Sequence, residues 1–171
     1  MRLPDVDECA PFYAPYIAAV EGDSLAEALD LDTAQWAGLL RSVPPGLEQH
    51  RYAPGKWSLR ELTGHVIDSE RVFQARALAF ARGDASPYPG FDENAWVAVA
   101  GADSRPLADL ASEMAAVRAA TRALMDGLGP ETWERRGTAS GCEFTVRSVF
   151  WIIAGHSQHH RRKVRELYLP E

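Results

Sequence analysis

"TVRSVFWIIAGHSQHHRRKVRELYL", residues 145–169, decides the fold. Its apolar residues do not alternate as a half-buried strand's would. Val146, Val149, Phe150, Ile153, Val164 and Leu167 recur at threes, fours and their sums, and at about 100° per residue they share one sector of a helix that Pro170 ends. His156 and His160 fall inside that sector, whereas His159 lies about 110° from its centre, on the flank. The two inward histidines are four residues apart, so their rings stand side by side on one face. That is the spacing at which a helix offers two imidazoles to one metal ion, here as HxxxH without the glutamate of the HExxH pattern. The basic run "HHRRKVR", 159–165, reads as a solvated last turn whose cations suit the negative end of the helix dipole, with a phosphate-binding role as the alternative.

Upstream, "YAPGKWSLRELTGHVIDSERVFQARALAFARGD" (52–84) opens with a Pro-Gly turn and a capping box, Ser58 with Glu61 three residues later, and stops at Gly83. Leu59, Leu62, Val66, Phe73, Ala77 and Phe80 form its apolar stripe. His65 sits between the inward positions Leu62 and Val66. A lone core-facing histidine is usually a hydrogen-bonded polar residue, but three of the chain's five histidines aimed into one interior are harder to satisfy. Each neutral imidazole needs both a donor and an acceptor partner. One metal ion would satisfy three acceptor nitrogens together and keep open positions, as catalytic sites do. His50 falls in a loop and, like His159, is left out of this set.

Two further helices complete the set. One runs from an N-cap at Asp23 or Ser24 through Leu25, Ala28, Leu29, Ala37, Leu40 and Val43 to the Pro44-Pro45 stop. The other runs from Leu107 through Leu110, Met114, Val117, Thr121, Leu124 and Leu128 to a Gly-Pro stop. Between the helix that carries His65 and the one that starts at Leu107 lies a long Pro/Gly-rich connection with a short helix from Asp92 to Val99. "ETWERRGTASGCEF" (131–144) reads as a loop with a short extended turn around Gly141. Four long helices with almost no strand signal predict an all-α four-helix bundle with one long crossover connection. The expected organisation is a single domain over 1–171, with residues 1–22 an N-terminal arm and the bundle at about 23–169.

Composition narrows the function classes. At 171 residues and 18.8 kDa the chain can bury a core without disulfides. The net charge of −6 comes from interleaved signs, 18 basic against 24 acidic residues, which argues against a nucleic-acid surface. Cys9 and Cys142 are far apart and form no CxxC motif, so neither a disulfide framework nor a cysteine zinc site is supported. No stretch reaches the roughly 18 apolar residues of a membrane span, and the acidic, Pro-rich start is unlike a signal peptide. A cytoplasmic protein with no membrane or nucleic-acid partner is expected.

With "YAPGKWS", "GHVIDSERVF", "RALAFARGD", "PGFDENAW" and "GHSQHH" in their order and spacing, the chain resembles the DinB-like (YfiT/DinB) superfamily from about the first helix onward. The resemblance implies up-down-down-up topology, a homodimer, and a divalent metal on three histidines. Matched residue by residue, those ligands fall on His65, His156 and His160, the three that periodicity places inward. Imidazoles suit zinc, nickel, iron or copper. The expected cofactor is one divalent transition metal per chain, zinc or nickel first and iron after them. The family includes thiol S-transferases using bacillithiol, mycothiol or glutathione, and a mycothiol-dependent maleylpyruvate isomerase. It therefore implies a low-molecular-weight thiol and an electrophile as partners. A metal-dependent hydrolase and a non-enzymatic metal-binding stress module are the alternatives.

Around the ligands, Asp68 and Glu61 sit about one turn from His65. Either could orient its free nitrogen or act on a substrate proton, although a helix surface needs solvated acids regardless. Glu70 and Arg76 lie on the same helix and could pair across the bundle, with pairing on its surface the reading preferred here. Trp57, Trp96, Phe91 and Tyr88 are candidates for the pocket rim, with plain packing at a bundle end the commoner role for such rings.

Overall fold

In a computed structural model that describes residues 1–169, the apolar stripes of the sequence become four long helices. These are α2 (Leu25–Ser42), α3 (Leu59–Ala81), α5 (Leu107–Asp126) and α6 (Val146–Lys163). Ser24 caps α2 by accepting from the Glu27 N–H. Ser58 and Glu61 form the full capping box at the start of α3. A second box, Thr145 with Ser148, starts α6. The short helix α4 (Glu93–Ala100) sits in the crossover, capped by Asp92 and stopped by Gly101 at φ +67°, and α1 (Ala14–Ala18) lies in the N-terminal arm. The Pro170 stop lies outside the described residues. Among the described residues no helix is long and apolar enough to cross a membrane.

Packing contacts set the direction of each helix. Leu39 and Leu40, at the end of α2, share a core cluster with Leu107 and Leu110 at the start of α5, while Asp30 pairs with Arg122 further along α5, so these two run antiparallel. Leu62 and Val66 of α3 join the same cluster and Glu70 meets Arg118, so α3 and α5 run parallel. His65 meets His156 of α6, whereas Phe80 clusters with Val149 and Ile152, making α3 and α6 antiparallel. The order is up-down-down-up. Two consecutive parallel helices need a connection that returns the chain along the bundle, which is the work of residues 82–106.

A small hairpin interrupts the helices. Strands β1 (Arg136–Ala139) and β2 (Cys142–Thr145) pair antiparallel, with Ala139 opposite Cys142. Ser140 and Gly141 between them have φ +52° and +76°, the positive pair of a type I′ turn. Tyr88 adds a parallel bridge to Ala139, holding the crossover against the hairpin.

Four details go beyond the sequence reading or against it. First, residues 164–168 form a π-helical turn. Its wider winding shifts the phase of the stripe, so Leu167 is 41% exposed and Tyr168 is buried in its place. Second, α6 is buried on nearly every side from Val146 to Gln158, because the N-terminal arm packs across it. A Cβ on Gly155 would lie 2.3 Å from the Tyr16 carbonyl oxygen, so glycine permits that approach. Third, the arm is locked by Glu8, which accepts from Arg147 at 2.7 and 3.0 Å and from Thr145 at 2.7 Å. Burial pushes the Glu8 carboxyl up, yet those bonds outweigh it and hold its pKa at about 2.

Fourth, Glu70 and Arg76 are not a surface pair. Both are buried. Glu70 takes a two-pronged ion pair from Arg118, at 2.8 and 2.9 Å. Arg118 also reaches Asp32 of α2, and Asp32 accepts from Arg161 at 2.8 Å and from Ser157 at 2.5 Å. Arg161 therefore belongs to the core and not to the solvated turn in which the sequence reading set it. Removing one carboxylate from such a layer strands a buried charge. Glu70→Ala is expected to cost about 3–5 kcal/mol in urea unfolding at neutral pH, while alanine at the exposed Glu143 stays within about 0.5 kcal/mol.

Candidate metal centre

His65 reaches the bundle interior from the second turn of α3, and His156 and His160 reach it from consecutive turns of α6. All three are more than 90% buried. Their Nε2 atoms converge: His65 to His156 is 3.2 Å and His160 to His156 is 3.1 Å. One ligand atom from each lies within 4.8 Å of the others.

Hydrogen bonding alone does not account for this cluster. The His156 Nε2 has either one proton or one lone pair in the neutral ring, so it can serve only one of its two close neighbours. A tetrahedral ion at about 2.0–2.1 Å from each nitrogen would set them about 3.3 Å apart, near the spacings observed. Neutral imidazoles are also the form that binds metal. Burial, reinforced for His156 by His65 and for His160 by its histidine neighbours, pushes the pKa of both well below the usual histidine value. Burial lowers His65 to about 4. The donor set and its protonation state fit a divalent transition metal. The far nitrogen of His160, Nδ1, is buried without a hydrogen-bond partner among the described residues.

Aromatic rings wall the cluster. Trp57 lies against His65 with ring centroids 4.6 Å apart, and Phe73 and Tyr16 approach His156 at 5.8 and 5.9 Å. A cleft of ≈ 340 Å³ opens beside the three imidazoles and runs toward Arg76 and the hairpin tip at Ser140. His159 stays on the flank, as the helical angle requires, but it lines the cleft mouth with its ring edge-on to Tyr16 at 4.9 Å.

The other sequence candidates separate. Phe91 lines the cleft, and Trp96 stacks behind it at 4.8 Å. Tyr88 packs on Phe80 and donates to Asp84, outside the cleft. Glu61 is engaged by Arg51 and the Ser58 N–H, and Asp68 pairs with Arg71 beside α5. Neither hydrogen-bonds to His65. His50 lies near Tyr168, away from the cleft. Sequence reading missed Tyr13, Tyr16 and Arg76 as lining residues. The tyrosines come from an arm with no periodicity to read, and the charge of Arg76 favours a surface position when only the sequence is considered.

Comparison with known proteins supplies the family context. The sequence model of the DinB superfamily matches residues 27–164. Among solved structures, the protein is similar to YfiT from Bacillus subtilis, described as a probable metal-dependent hydrolase with an unusual four-helix bundle topology. The TM-score is 0.74 at 18% identity, covering 85% of this chain and 84% of that one. No curated protein matches the sequence.

The neutral cluster makes the metal-free protein acid-sensitive. An unfolded histidine takes up a proton near pH 6.5, while folded His65 resists until about 4. Between these values the unfolded state binds more protons, so stability is retained above pH 6.5 and falls as the pH drops toward 4. Chelator-treated protein is expected to lose about 1.4 kcal/mol per pH unit for each imidazole involved. A triple His→Gln variant should flatten that slope in urea titrations.

Proposed function

The chain belongs to the DinB superfamily, and from that membership and the site's geometry we propose that it is a divalent-metal-dependent S-transferase. It joins a low-molecular-weight thiol to a small electrophile, acting as a homodimer. The observation that carries this reading is the convergence of three buried Nε2 atoms beside an open, aromatic-walled cleft. His65, His156 and His160 hold the ion, zinc or nickel in the first instance. When bound, the ion supplies a positive charge that acidifies a thiol taking its open position, giving a nucleophile near neutral pH.

The protein's own residues do the remaining work. Packing of Trp57 on His65 and of Tyr16 and Phe73 around His156 holds the imidazoles in one orientation and would keep bulk water from one side of a bound ion. The cleft admits a ligand that reaches the cluster from the hairpin side. A hydrolytic reading, in which water takes the open position, draws on the description of YfiT. It differs in requiring no thiol for turnover.

Metal-loaded protein incubated with monochlorobimane and separately with bacillithiol, mycothiol and glutathione is expected to accelerate conjugation with at least one of the three. His160→Ala should abolish the acceleration. Absence of acceleration with all three, alongside thiol-independent ester hydrolysis, would favour the hydrolase. If cobalt-substituted protein gives spectra blind to every added ligand and unfolds on chelation, the metal is a structural brace.

A further inference from the structure

Arg76 differs from the other buried arginines. Arg118, Arg147 and Arg161 are each paired with a carboxylate. Arg76 is 5% exposed and has no acidic partner within ion-pair distance among the described residues. Its Nη2 donates to the Pro89 carbonyl at 2.7 Å and reaches Ser140 Oγ at 3.5 Å. A guanidinium carries five N–H donors and stays charged. Burying that charge without an anion is costly, so its persistence in the wall of a cleft points to an external partner. Glu93 lines the same cleft but is exposed and does not pair with it.

Two hydroxyls extend the pattern. Ser69 lies one turn from His65 on α3, toward Arg76, and lines the cleft. Its buried Oγ has no hydrogen-bond partner. Other helix hydroxyls in this protein, Thr33, Thr63 and Ser112, bond back to the carbonyl four residues earlier. Ser69 does not. Ser140 occupies a positive-φ position in the hairpin turn, a conformation disfavoured for a residue with a Cβ, and its side chain is thereby placed at the same cleft wall.

Along α3 the sequence His65, Ser69, Arg76 spaces these groups over about 16 Å of helix axis, and the arginine side chain leans back toward the helix N-terminus. The end-to-end span open to a ligand is therefore on the order of 10 Å. A single unpaired guanidinium suits a planar carboxylate, which it can grip with two N–H groups. We propose that Arg76, with Ser140, binds a carboxylate at the far end of the thiol cosubstrate, and that Ser69 meets a polar group midway along it. The cosubstrate is thus an extended, carboxylate-bearing thiol and not a small neutral one. This rests on the thiol reading of the cleft.

Cobalt(II)-substituted protein titrated with glutathione and with glutathione diethyl ester tests the carboxylate. Both carry the same thiol. The free acid is expected to bind roughly tenfold tighter or more, read from the sulfur-to-cobalt absorption. Arg76→Met should bring the two affinities together without changing cobalt content or helical circular dichroism. Ser140→Ala, which leaves the buried charge in place, should narrow the gap partially. Equal affinities in the unsubstituted protein, or a preference that survives Arg76→Met, would overturn the proposal. S-Methylglutathione, followed by tryptophan fluorescence, separates this inference from the reading beneath it. If it binds in an Arg76-dependent way while no thiol alters the cobalt spectrum, the carboxylate subsite stands and the thiol reading falls. Thiol binding without acid preference has the opposite meaning, and binding of none of the three compounds contradicts both.

Discussion

Asp32 holds the bundle in register. Its two carboxylate oxygens accept from Arg118 on α5 and from Ser157 and Arg161 on α6, and Arg118 in turn grips Glu70 on α3. One charged layer therefore ties all four long helices. Buried ion pairs add little net stability compared with apolar packing, but they penalise every arrangement that separates them. The consequence for the site is rotational. With Ser157 and Arg161 committed to the α2 side, the adjacent positions His156 and His160 must face α3. With Glu70 committed to α5, His65 turns toward α6. The polar layer and the imidazole cluster are two faces of one packing solution.

That layer also explains which parts of the molecule could be read in advance. Helices α2, α3, α5 and α6 announce themselves through local signals, such as the Ser58/Glu61 box and the apolar stripes, which depend on neighbours within one or two turns. The inward direction of His65, His156 and His160 follows from the same stripes. Their meeting at 3.1–3.2 Å depends on two helices approaching, and that required either the structure or the family resemblance. Long-range polar partners leave no periodic trace. Arg161 reads in the sequence as part of a solvated turn and Arg118 carries no signal of its own, yet both lie in the core because Asp32 meets Arg118 from 86 and Arg161 from 129 residues away. The π turn that exchanges Leu167 for Tyr168 is likewise a tertiary outcome.

The N-terminal arm contributes more than its sequence promised. Glu8 anchors it to Arg147, Gly155 lets its backbone approach α6, and Tyr16 then forms part of the wall beside His156. Site and arm are coupled through packing. Displacing the arm would expose the imidazoles to water and raise their affinity for protons, weakening the neutral donor set on which metal binding depends. The DinB superfamily match begins at residue 27, so this wall is built from sequence upstream of the matched segment.

X-ray absorption at the metal edge, on protein loaded with one equivalent of zinc, tests the three-imidazole site most directly. The expected spectrum contains three imidazole nitrogens at about 2.0–2.1 Å with their outer-ring scattering, and it falls to two imidazoles in His65→Ala. A spectrum without imidazole scattering, or one unchanged by His65→Ala, would contradict the assignment of this cluster as the metal centre.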